Sequence, residues 1–289
     1  MQKNLMLSLI KSAVGDKSGS LDVVYKHVKN WHTIPIFILG LGNEIEIVTK
    51  DHRKFRIKVQ KGFVEMQYKK GQVRFAYAKR GDIVHILLML IGEFMAEPHR
   101  GLRVRGRPVV DVGAYIGDTA IYFALNGARH VYAIEPYPYS CAIAIKNIEL
   151  NNLQKKITVI NAGCASKPGT MKIDPKFENL AGADVRADKK GKSVKVITLE
   201  ALAREYRLKD AALKIDCEGC EYDIIGGTSP SVLKKFTDML IEYHYGYKPI
   251  VDRLMRIGFR TEHTKPEKSF NANTKRKEMY MGDIYATKK

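Results

Sequence analysis

A hydrophobic strand runs through a glycine-containing turn into a helix in the segment Val109-Val-Asp-Val-Gly-Ala-Tyr-Ile-Gly-Asp-Thr119. Gly113 and Gly117 allow the backbone to turn tightly and allow a ligand to approach without meeting a Cβ atom. About twenty residues later, a second apolar run ends in Ile134-Glu135-Pro136. A carboxylate at the end of that strand is placed to accept hydrogen bonds from both hydroxyls of a ribose. Together the two elements predict an α/β fold that binds a nucleoside.

The spacing of this turn argues against a nicotinamide or flavin cofactor. It reads Asp-x-Gly-x-x-x-Gly rather than Gly-x-Gly-x-x-Gly, and nothing in it calls for a pyrophosphate. S-adenosylmethionine has a carboxylate, a ribose and an adenine but no phosphate, so it suits the pattern. We therefore predict S-adenosylmethionine as the cofactor. The turn and the second strand end supply the expected contacts, namely Asp111, Gly113, Ala114, Tyr115, Gly117, Asp118, Thr119, Glu135 and Pro136.

Strand-like and helix-like runs alternate from Val109 onward, which is typical of a largely parallel α/β sheet. A polar, basic stretch at Pro266–Lys277 is expected to form a long hairpin loop before a final strand at Asp283–Thr287. The other predicted strands are 109–112, 130–134, 157–162, 213–216 and 238–243. The predicted helices are 119–126, 139–151, 199–206 and 249–257.

The residues before this region have a different pattern. Short β-like runs separated by turn signals predict a small antiparallel meander. Helices are expected before the meander at Ser20–Asn30 and after it from Asp82 to about Met95. We place the boundary in the basic, irregular stretch that follows, which gives a mostly β domain at 1–105 and an α/β domain at 106–289. The predicted meander strands are 44–49, 54–59, 63–68 and 73–77.

The charge of the chain is unusual. Its 289 residues include 49 Lys and Arg against 31 Asp and Glu, for a net charge of +18. Residues 1–108 contain 20 of these bases and 9 of the acids, so the smaller part has most of the excess. This balance indicates a polyanionic partner, although a lysine-rich surface of the kind found in heat-adapted proteins is the alternative. Arg100, Arg103 and Arg105 are the expected contacts to a nucleic-acid substrate.

Several classes of protein are excluded by composition. Four cysteines in a chain of this length do not form a disulfide scaffold. Cys217 and Cys220 lack the second spaced pair of a zinc site, so they are interpreted as packing or redox-sensitive residues, and no metal is expected. The longest apolar run, Ile83–Met95, is too short to span a membrane and includes Glu93. With no signal peptide recognised at the start, a soluble cytoplasmic protein is expected.

The sequence resembles the FkbM family of class I methyltransferases. The resemblance covers about residues 109–245, and its last block is the most family-specific. The matching blocks are Asp-Val-Gly-Ala-Tyr-Ile-Gly-Asp-Thr (111–119), Ala-Ile-Glu-Pro (133–136), Asn-Ala-Gly (161–163), Val-Ile-Thr-Leu-Glu-Ala-Leu (196–202) and Leu-Lys-Ile-Asp-Cys-Glu-Gly-Cys-Glu (213–221).

The resemblance implies a Rossmann-like sheet of seven strands, one of them antiparallel, with S-adenosylmethionine at the carboxyl ends of the first strands. By position it implies that Asn161 and Ala162 contact the adenine edge. Tyr115 departs from the family, which commonly has Asn there, so one hydrogen bond to the cofactor is expected to be missing or replaced by a ring contact. The family is best known for O-methylation of sugars and small metabolites, which does not call for a charge of +18.

Methyl transfer is an in-line displacement, so the protein mainly orients the two partners, and a carboxylate can take or hydrogen-bond the proton of the nucleophile. The predicted strand 213–216 ends beside the expected methyl position. Asp216 is therefore the leading catalytic candidate and is also expected to touch the cofactor. Glu218 follows it in a turn that Gly219 makes possible. The alternative is that one of these carboxylates only caps the next helix.

The next strand ends in an acid, an imidazole and three aromatic rings, at the rim where substrates enter such folds. Glu242, Tyr243 and Tyr245 are the expected substrate contacts, and the aromatic rings could stack on a flipped-out base or form core under a lid. His244 is a possible base or a hydrogen-bonded structural residue.

Three functions remain open on the sequence alone. The first is methylation of RNA, ribosomal or transfer, at a base nitrogen or a ribose oxygen. The second is O-methylation of a sugar or small metabolite. The third is non-catalytic nucleic-acid binding on a retired methyltransferase fold, against which the intact set of Asp111, Gly113, Gly117, Glu135 and Asp216 argues.

Overall fold

The computed structural model of the chain describes residues 18–40, 42–173, 191–269 and 278–288. The chain divides into two compact units. One comprises the residues up to His99 together with Glu149–Asn152, and the other comprises Arg100–Ile148 and the residues from Leu153 onward. The domain boundary after residue 105 stays a prediction, because compactness by itself does not establish that a unit folds independently.

The first unit contains a four-stranded antiparallel sheet in the order β1-β2-β3-β4. Its strands alternate buried apolar with exposed polar residues, as expected when one face of a sheet packs on a core and the other faces water. In β1 and β2, for example, Ile45, Ile47, Phe55 and Ile57 are buried. The predicted meander is therefore confirmed. Its strands are β1 (Glu44–Val48), β2 (Lys54–Gln60), β3 (Phe63–Tyr68) and β4 (Gly71–Ala76).

The helix after the meander begins two residues earlier than predicted. The Asp82 carboxylate accepts hydrogen bonds from the backbone N–H groups of Ala78 and Lys79, at 2.9 and 3.0 Å. Asp82 therefore caps the helix from inside its first turn rather than from its first residue. The helix then continues into a π-helical turn at Leu90–Met95. The helices of this unit are α1 (Ser18–His27), α2 (Ile34–Ile38) and α3 (Arg80–Met89), and 3-10 turns lie at Trp31–Thr33 and Pro98–Gly101.

The second unit is an α/β fold built on a mixed sheet. The strand order across the sheet is β13-β15-β12-β11-β5-β6-β7, and β14 pairs with β15. Strand β15 runs antiparallel to β12 and β13, whereas β12, β11, β5, β6 and β7 are mutually parallel. The predicted seven-stranded class I methyltransferase fold is thus confirmed, with β14 as an addition. The strands of this unit are β5 (Pro108–Val112), β6 (His130–Glu135), β7 (Ile157–Asn161), β8 (Gly163–Cys164), β9 (Gly169–Ile173), β10 (Lys192–Ile197), β11 (Ala211–Ile215), β12 (Phe236–Tyr243), β13 (Phe259–His263), β14 (Glu267–Ser269) and β15 (Met279–Lys288).

The central strands are buried along their whole length. All five residues of β5 and all five of β11 are buried, which is typical of a parallel sheet covered by helices on both faces. The helices of this unit are α4 (Asp118–Leu125), α5 (Pro138–Leu150), α6 (Leu199–Glu205), α7 (Glu221–Gly227), α8 (Pro230–Leu233) and α9 (Lys248–Arg256). In the described residues, no helix is long and apolar enough to cross a membrane.

Three elements differ from the sequence-based expectation. Strand β13 was not predicted. Only Phe259 of its five residues is buried, so the strand lacks an apolar pattern. A second, three-stranded sheet in the order β8-β10-β9 was also not predicted. The stretch expected to be a loop, Pro266–Lys277, begins with β14, while residues 270–277 lie outside the described residues.

The register of the sheet places the tips of four parallel strands in one row. Val112 pairs with Ile134 on one side and with Ile215 on the other, and Ile215 also pairs with Ile241. The residues that follow each of these four are therefore neighbours at one edge of the sheet. They are Gly113, Glu135, Asp216 and Glu242. In open α/β sheets, ligands bind at this carboxyl edge, where the connections diverge.

Candidate active site

Gly113 is required by the packing of the protein backbone. Its φ is +81°, a conformation that favours glycine, and a Cβ atom there would overlap the carbonyl oxygen of Asp216. The sequence predicts both a tight turn and a close approach of the cofactor at this glycine. The structure confirms the turn but shows that the atom occupying the Cβ position belongs to the end of β11.

Tyr115 also adopts a left-handed conformation, with φ of +44°. Its backbone N–H donates a hydrogen bond of 2.9 Å to Glu135 Oε2. Asn tolerates this conformation better than Tyr, which gives a backbone reason for the Asn that the family commonly has here. The turn then ends at Gly117, which has φ of +82° and precedes the first residue of α4.

Glu135 is held by the backbone on both sides. Only 5% of the residue is exposed, Oε2 accepts from Tyr115 as described, and Oε1 accepts from the backbone N–H of Tyr137 at 2.9 Å. Burial raises the pKa of Glu135 to about 7 against the lowering effect of these hydrogen bonds. Each oxygen keeps a second lone pair, so the carboxylate can still accept from a ribose hydroxyl.

Asp111 faces the turn and is fully buried. Its Oδ2 accepts a 2.6 Å hydrogen bond from the hydroxyl of Thr119, and its Oδ1 lies 3.4 Å from Lys214 Nζ. Of the two roles predicted for it, pointing at the turn or at the amino group of a ligand, the structure supports the first. Neighbouring Ala114 and Asp118 are buried as well.

Lys214 is a buried residue of the candidate site that was not predicted from the sequence. It is 2% exposed in the middle of β11 and directly opposite Asp111 in the register. Its Nζ lies 3.4 Å from both Asp111 Oδ1 and Asp216 Oδ2, and it donates to the carbonyl oxygen of Gly113 at 3.1 Å. A lysine within a wholly buried strand was the available signal, because such a residue requires anionic partners.

Asn161 and Ala162 secure the tip of β6. The Asn161 side-chain amide donates to the carbonyl oxygens of Glu135 and Pro136, at 3.0 Å each. The backbone N–H of Ala162 also donates to the Glu135 carbonyl, at 3.1 Å. Both residues therefore lie beside Glu135, and their contact with adenine stays a prediction.

Three ionisable side chains meet at the tips of β11 and β12. His244 Nε2 lies 3.4 Å from Glu218 Oε2 and 3.9 Å from Asp216 Oδ1. The other ring nitrogen, Nδ1, lies 3.0 Å from Glu221 Oε1, and both His244 and Glu221 are fully buried. This arrangement is not evident from the sequence, because His244 is 23 residues from Glu221. The three predicted catalytic residues, Asp216, Glu218 and His244, are thus brought together.

The ionisable groups of this cluster shift one another's pKa values. Burial acts to lower the pKa of His244, but the hydrogen bond and charge of Glu221, with the charge of Glu218, outweigh it and raise that pKa to about 10. Burial acts to raise the pKa of Asp216, but Lys214 and His244 outweigh it and lower that pKa. Burial and the charge of Asp216 raise the pKa of Glu242 well above its ordinary range. With no cation bound, the His244 ring is therefore positively charged at neutral pH, and its role as a base stays a prediction.

A cavity of about 640 Å³ opens beside the cluster. Glu218 lines it, and so does Tyr245, one of the predicted substrate contacts. Cys217 and Cys220 also line it and are joined by a disulfide bond, so they are more than packing residues. The remaining lining residues are Cys164, Ala165, Met171, Val196, Gly219, Tyr222 and Pro249.

Tyr243 is a correction to the predicted substrate contacts. It is 0% exposed, belongs to the apolar core of this unit, and donates from its hydroxyl to the carbonyl oxygen of Thr264 at 3.0 Å. Because successive residues of a strand point to opposite faces, the neighbours of Glu242 in β12 do not share its surroundings. Tyr243 therefore supports the core.

Arg100, Arg103 and Arg105 lie at the opposite edge of the sheet from the cluster. They precede β5, and Arg103 Nε donates to Asp238 Oδ1 at 2.6 Å. Asp238 is 4% exposed, lies near the start of β12, and also accepts a hydrogen bond from Arg107. The buried carboxylate of Asp238 therefore engages Arg103, and the strands separate all three arginines from Asp216. Their contact with the phosphates of a nucleic-acid substrate stays a prediction.

Comparison with known proteins gives one family match. The family model described as the methyltransferase FkbM domain matches residues 111–263. The ribosomal protein L11 methyltransferase of Carboxydothermus hydrogenoformans is 47% identical over 55 residues, which are 19% of this chain and only 18% of that protein.

Solved structures of low similarity also match. The methyltransferase FkbM of Methylobacillus flagellatus is 14% identical, with 70% of this chain and 54% of that chain covered and a TM-score of 0.40. The M. jannaschii tRNA m1G37 methyltransferase is 16% identical, with 79% and 57% covered and a TM-score of 0.40.

Proposed function

Because the chain belongs to the FkbM methyltransferase family, we propose that it transfers a methyl group from S-adenosylmethionine to a sugar hydroxyl, and that this sugar is a ribose of RNA. The family match confirms the predicted methyltransferase domain and its methyl donor. The observation that supports the chemistry is the row of Gly113, Glu135, Asp216 and Glu242 at one edge of the sheet. This row brings a nucleoside-binding turn against a cluster of carboxylates.

The turn and the second strand end hold the methyl donor. Glu135 accepts hydrogen bonds from the ribose hydroxyls, while the glycine turn gives the cofactor close access to the backbone. Since the carbonyl oxygen of Asp216 is packed against Gly113, the side chain of Asp216 begins within a few atoms of this turn. A third of the Asp216 side chain is exposed, which leaves it accessible to an incoming group.

The acceptor hydroxyl enters through the cavity beside Glu218 and Tyr245. Its oxygen forms a bond to the methyl carbon while the carbon–sulfur bond breaks, and the electron pair of that bond stays on sulfur to give S-adenosylhomocysteine. The hydroxyl proton passes to the carboxylate cluster. Asp216 accepts a hydrogen bond from the hydroxyl and so aligns the oxygen with the methyl group.

The charge of the chain supports RNA as the acceptor. A net charge of +18 favours a polyanion, and phosphates attract Lys and Arg regardless of base sequence. The cavity of about 640 Å³ is large enough for one nucleotide, and Tyr222 and Tyr245 provide aromatic surface within it. Ribosomal RNA and transfer RNA are the candidate substrates.

A second candidate is O-methylation of a free sugar or small metabolite. It is favoured because several basic side chains already form ion pairs with carboxylates. Arg103 is engaged by Asp238, and on the meander Lys54, Arg56 and Lys58 form ion pairs with Glu44 and Glu46. Phosphates would have to displace these carboxylates. Exposed ion pairs of this kind are worth at most about 1 kcal/mol, so they oppose RNA binding only weakly.

Deletion of the gene tests the proposal directly. Nucleosides from ribosomal and transfer RNA of the deletion strain and its parent are compared by mass spectrometry. Loss of one 2′-O-methylnucleoside, restored by the wild-type gene but not by the Asp216→Asn variant, is the expected result. Unchanged RNA together with a methyl group lost from a glycan or small metabolite would refute RNA as the substrate and support the second candidate.

A further inference from the structure

Three ligand-type atoms of the catalytic cluster converge on one point. They come from Asp216, Glu218 and His244, and all lie within 4.8 Å of one another. Ligands bound to one octahedral cation at about 2.1 Å are separated by about 3 Å, so small side-chain movements suffice to close the set. We propose that these three residues bind one divalent cation at the edge of the cavity.

The imidazole is the second, independent observation. His244 is 0% exposed, and its Nε2 has no hydrogen-bond partner in the part of the chain that the structure describes. A buried polar nitrogen without such a partner is costly. This nitrogen points toward Asp216 Oδ1 and Glu218 Oε2, which are the other two atoms of the set.

Glu221 fixes the ring in the orientation that a metal ligand needs. Its Oε1 accepts from His244 Nδ1 at 3.0 Å and from the His244 backbone N–H at 3.1 Å. Binding of a cation releases the proton from Nε2, and the proton that stays on Nδ1 leaves the Nε2 lone pair directed toward the two carboxylates. A carboxylate behind a histidine in this way is the usual outer partner of a metal-bound imidazole.

The charge around the point also favours a cation. Lys214 lies beside the three residues, and its Nζ is 3.4 Å from a carboxylate oxygen of both Asp111 and Asp216. It contacts Asp216 through Oδ2, whereas Oδ1 faces His244. The two oxygens of Asp216 can therefore serve a lysine and a metal at the same time. A mixed set of one imidazole and two carboxylates suits Mn²⁺ or Zn²⁺ better than Ca²⁺.

This inference rests on the proposed function only for the role of the cation. A cation at this point would bind the acceptor hydroxyl and make it easier to deprotonate. The ligand set itself depends on the geometry alone, so binding of the metal can be tested without a methyl acceptor.

Mn²⁺ binding to the purified full-length chain tests the proposal. Equilibrium titration followed by electron paramagnetic resonance is expected to show one Mn²⁺ per chain. Pulsed measurements on the same sample are expected to show coupling of the metal to an imidazole nitrogen. Glu218→Gln and His244→Gln are expected to weaken Mn²⁺ binding at least about tenfold, and His244→Gln also to abolish the nitrogen coupling.

Asp283→Asn is the matched control. Asp283 contributes a negative charge near Glu242 but supplies no atom to the set, so its removal is expected to change Mn²⁺ affinity less than about threefold. S-adenosylmethionine binding by each variant verifies folding. Absence of saturable Mn²⁺ binding below about 1 mM, or equal affinity in wild type and Glu218→Gln, would overturn the metal site while leaving methyl transfer to be judged by the gene deletion.

Discussion

Replacing Glu135 by Gln is expected to change how both stability and cofactor binding depend on pH. Burial raises the pKa of Glu135 from an ordinary 4.5 to about 7 in the folded chain. A carboxyl whose pKa is raised on folding binds its proton more tightly when folded than when unfolded. Its effect on stability is therefore negligible below the unfolded pKa, and stability is lost as the pH rises toward the folded pKa.

The size of this loss follows from the two pKa values. A displacement from 4.5 to about 7 corresponds to about 3 kcal/mol of the free energy of unfolding, lost between about pH 4.5 and about pH 8. Since Glu135 is only 5% exposed, solvent screening reduces this figure little. Gln cannot ionise, so the variant lacks this slope. It has instead a constant penalty, because its amide group cannot accept from both Tyr115 and Tyr137.

Cofactor binding has the opposite pH dependence. Ribose hydroxyls donate to the ionised carboxylate and favour it, so the affinity for S-adenosylmethionine is expected to rise roughly tenfold between about pH 6 and about pH 8 in the wild type. In Glu135→Gln the affinity is lower and flat over this range. The stabilities are measured by urea denaturation without cofactor, and the affinities by calorimetry.

The comparison between wild type and variant isolates the contribution of this one group. Other ionisable residues titrate over the same range but are present in both proteins, so they cancel in the difference. A wild-type affinity that does not change with pH, or an identical slope in Glu135→Gln, would refute the assignment of Glu135 to the ribose.

Other residues give further tests. Gly113→Ala is expected to lower the free energy of unfolding by more than about 3 kcal/mol in a urea titration, because the added methyl group meets backbone atoms. Gly106 has a similar φ of +73° but nothing within 4 Å of the added carbon, so Gly106→Ala should cost about 1 kcal/mol in the same titration. Asp216→Asn is expected to slow methyl transfer at least about a hundredfold in a radiolabel assay while changing the Kd of S-adenosylmethionine less than about threefold, and full activity would show that the chemistry lies elsewhere. Asp238→Asn is expected to lower the melting temperature through the loss of about 2 kcal/mol but to leave RNA affinity in filter binding unchanged; a large fall in that affinity would place Arg103 at the RNA interface.

The sequence predicted the central strands of the fold well because they are mostly apolar. Strands β5, β6, β11 and β12 lie in the middle of the sheet, where both faces are covered, so each appears as a mostly hydrophobic run. Strand β13 lies at the edge and has one buried residue, so it gives no such pattern. The family resemblance implies a seventh strand but ends before this segment, so it does not give the position of β13 either.

The candidate site was predictable wherever function depends on a local pattern. The glycine turn, Glu135 and Asp216 each stand at the end of an apolar run and could be identified from spacing. The pairing of Arg103 with Asp238 joins residues 135 positions apart, and no local pattern indicates it. Lys214 was missed for a related reason, since its two carboxylates become neighbours only when β5 and β11 pair.

The contact between Gly113 and the Asp216 carbonyl affects how new acceptor specificities can be engineered. The loop proposed to hold the donor and the loop proposed to receive the acceptor share a boundary too tight for one added carbon, so neither can be reshaped without moving the other. In a library that varies residues at this boundary, most variants are expected to lose the fold before they change specificity. Met171, Tyr222 and Tyr245 line the cavity without being part of the glycine turn, and substrate range is expected to diversify there.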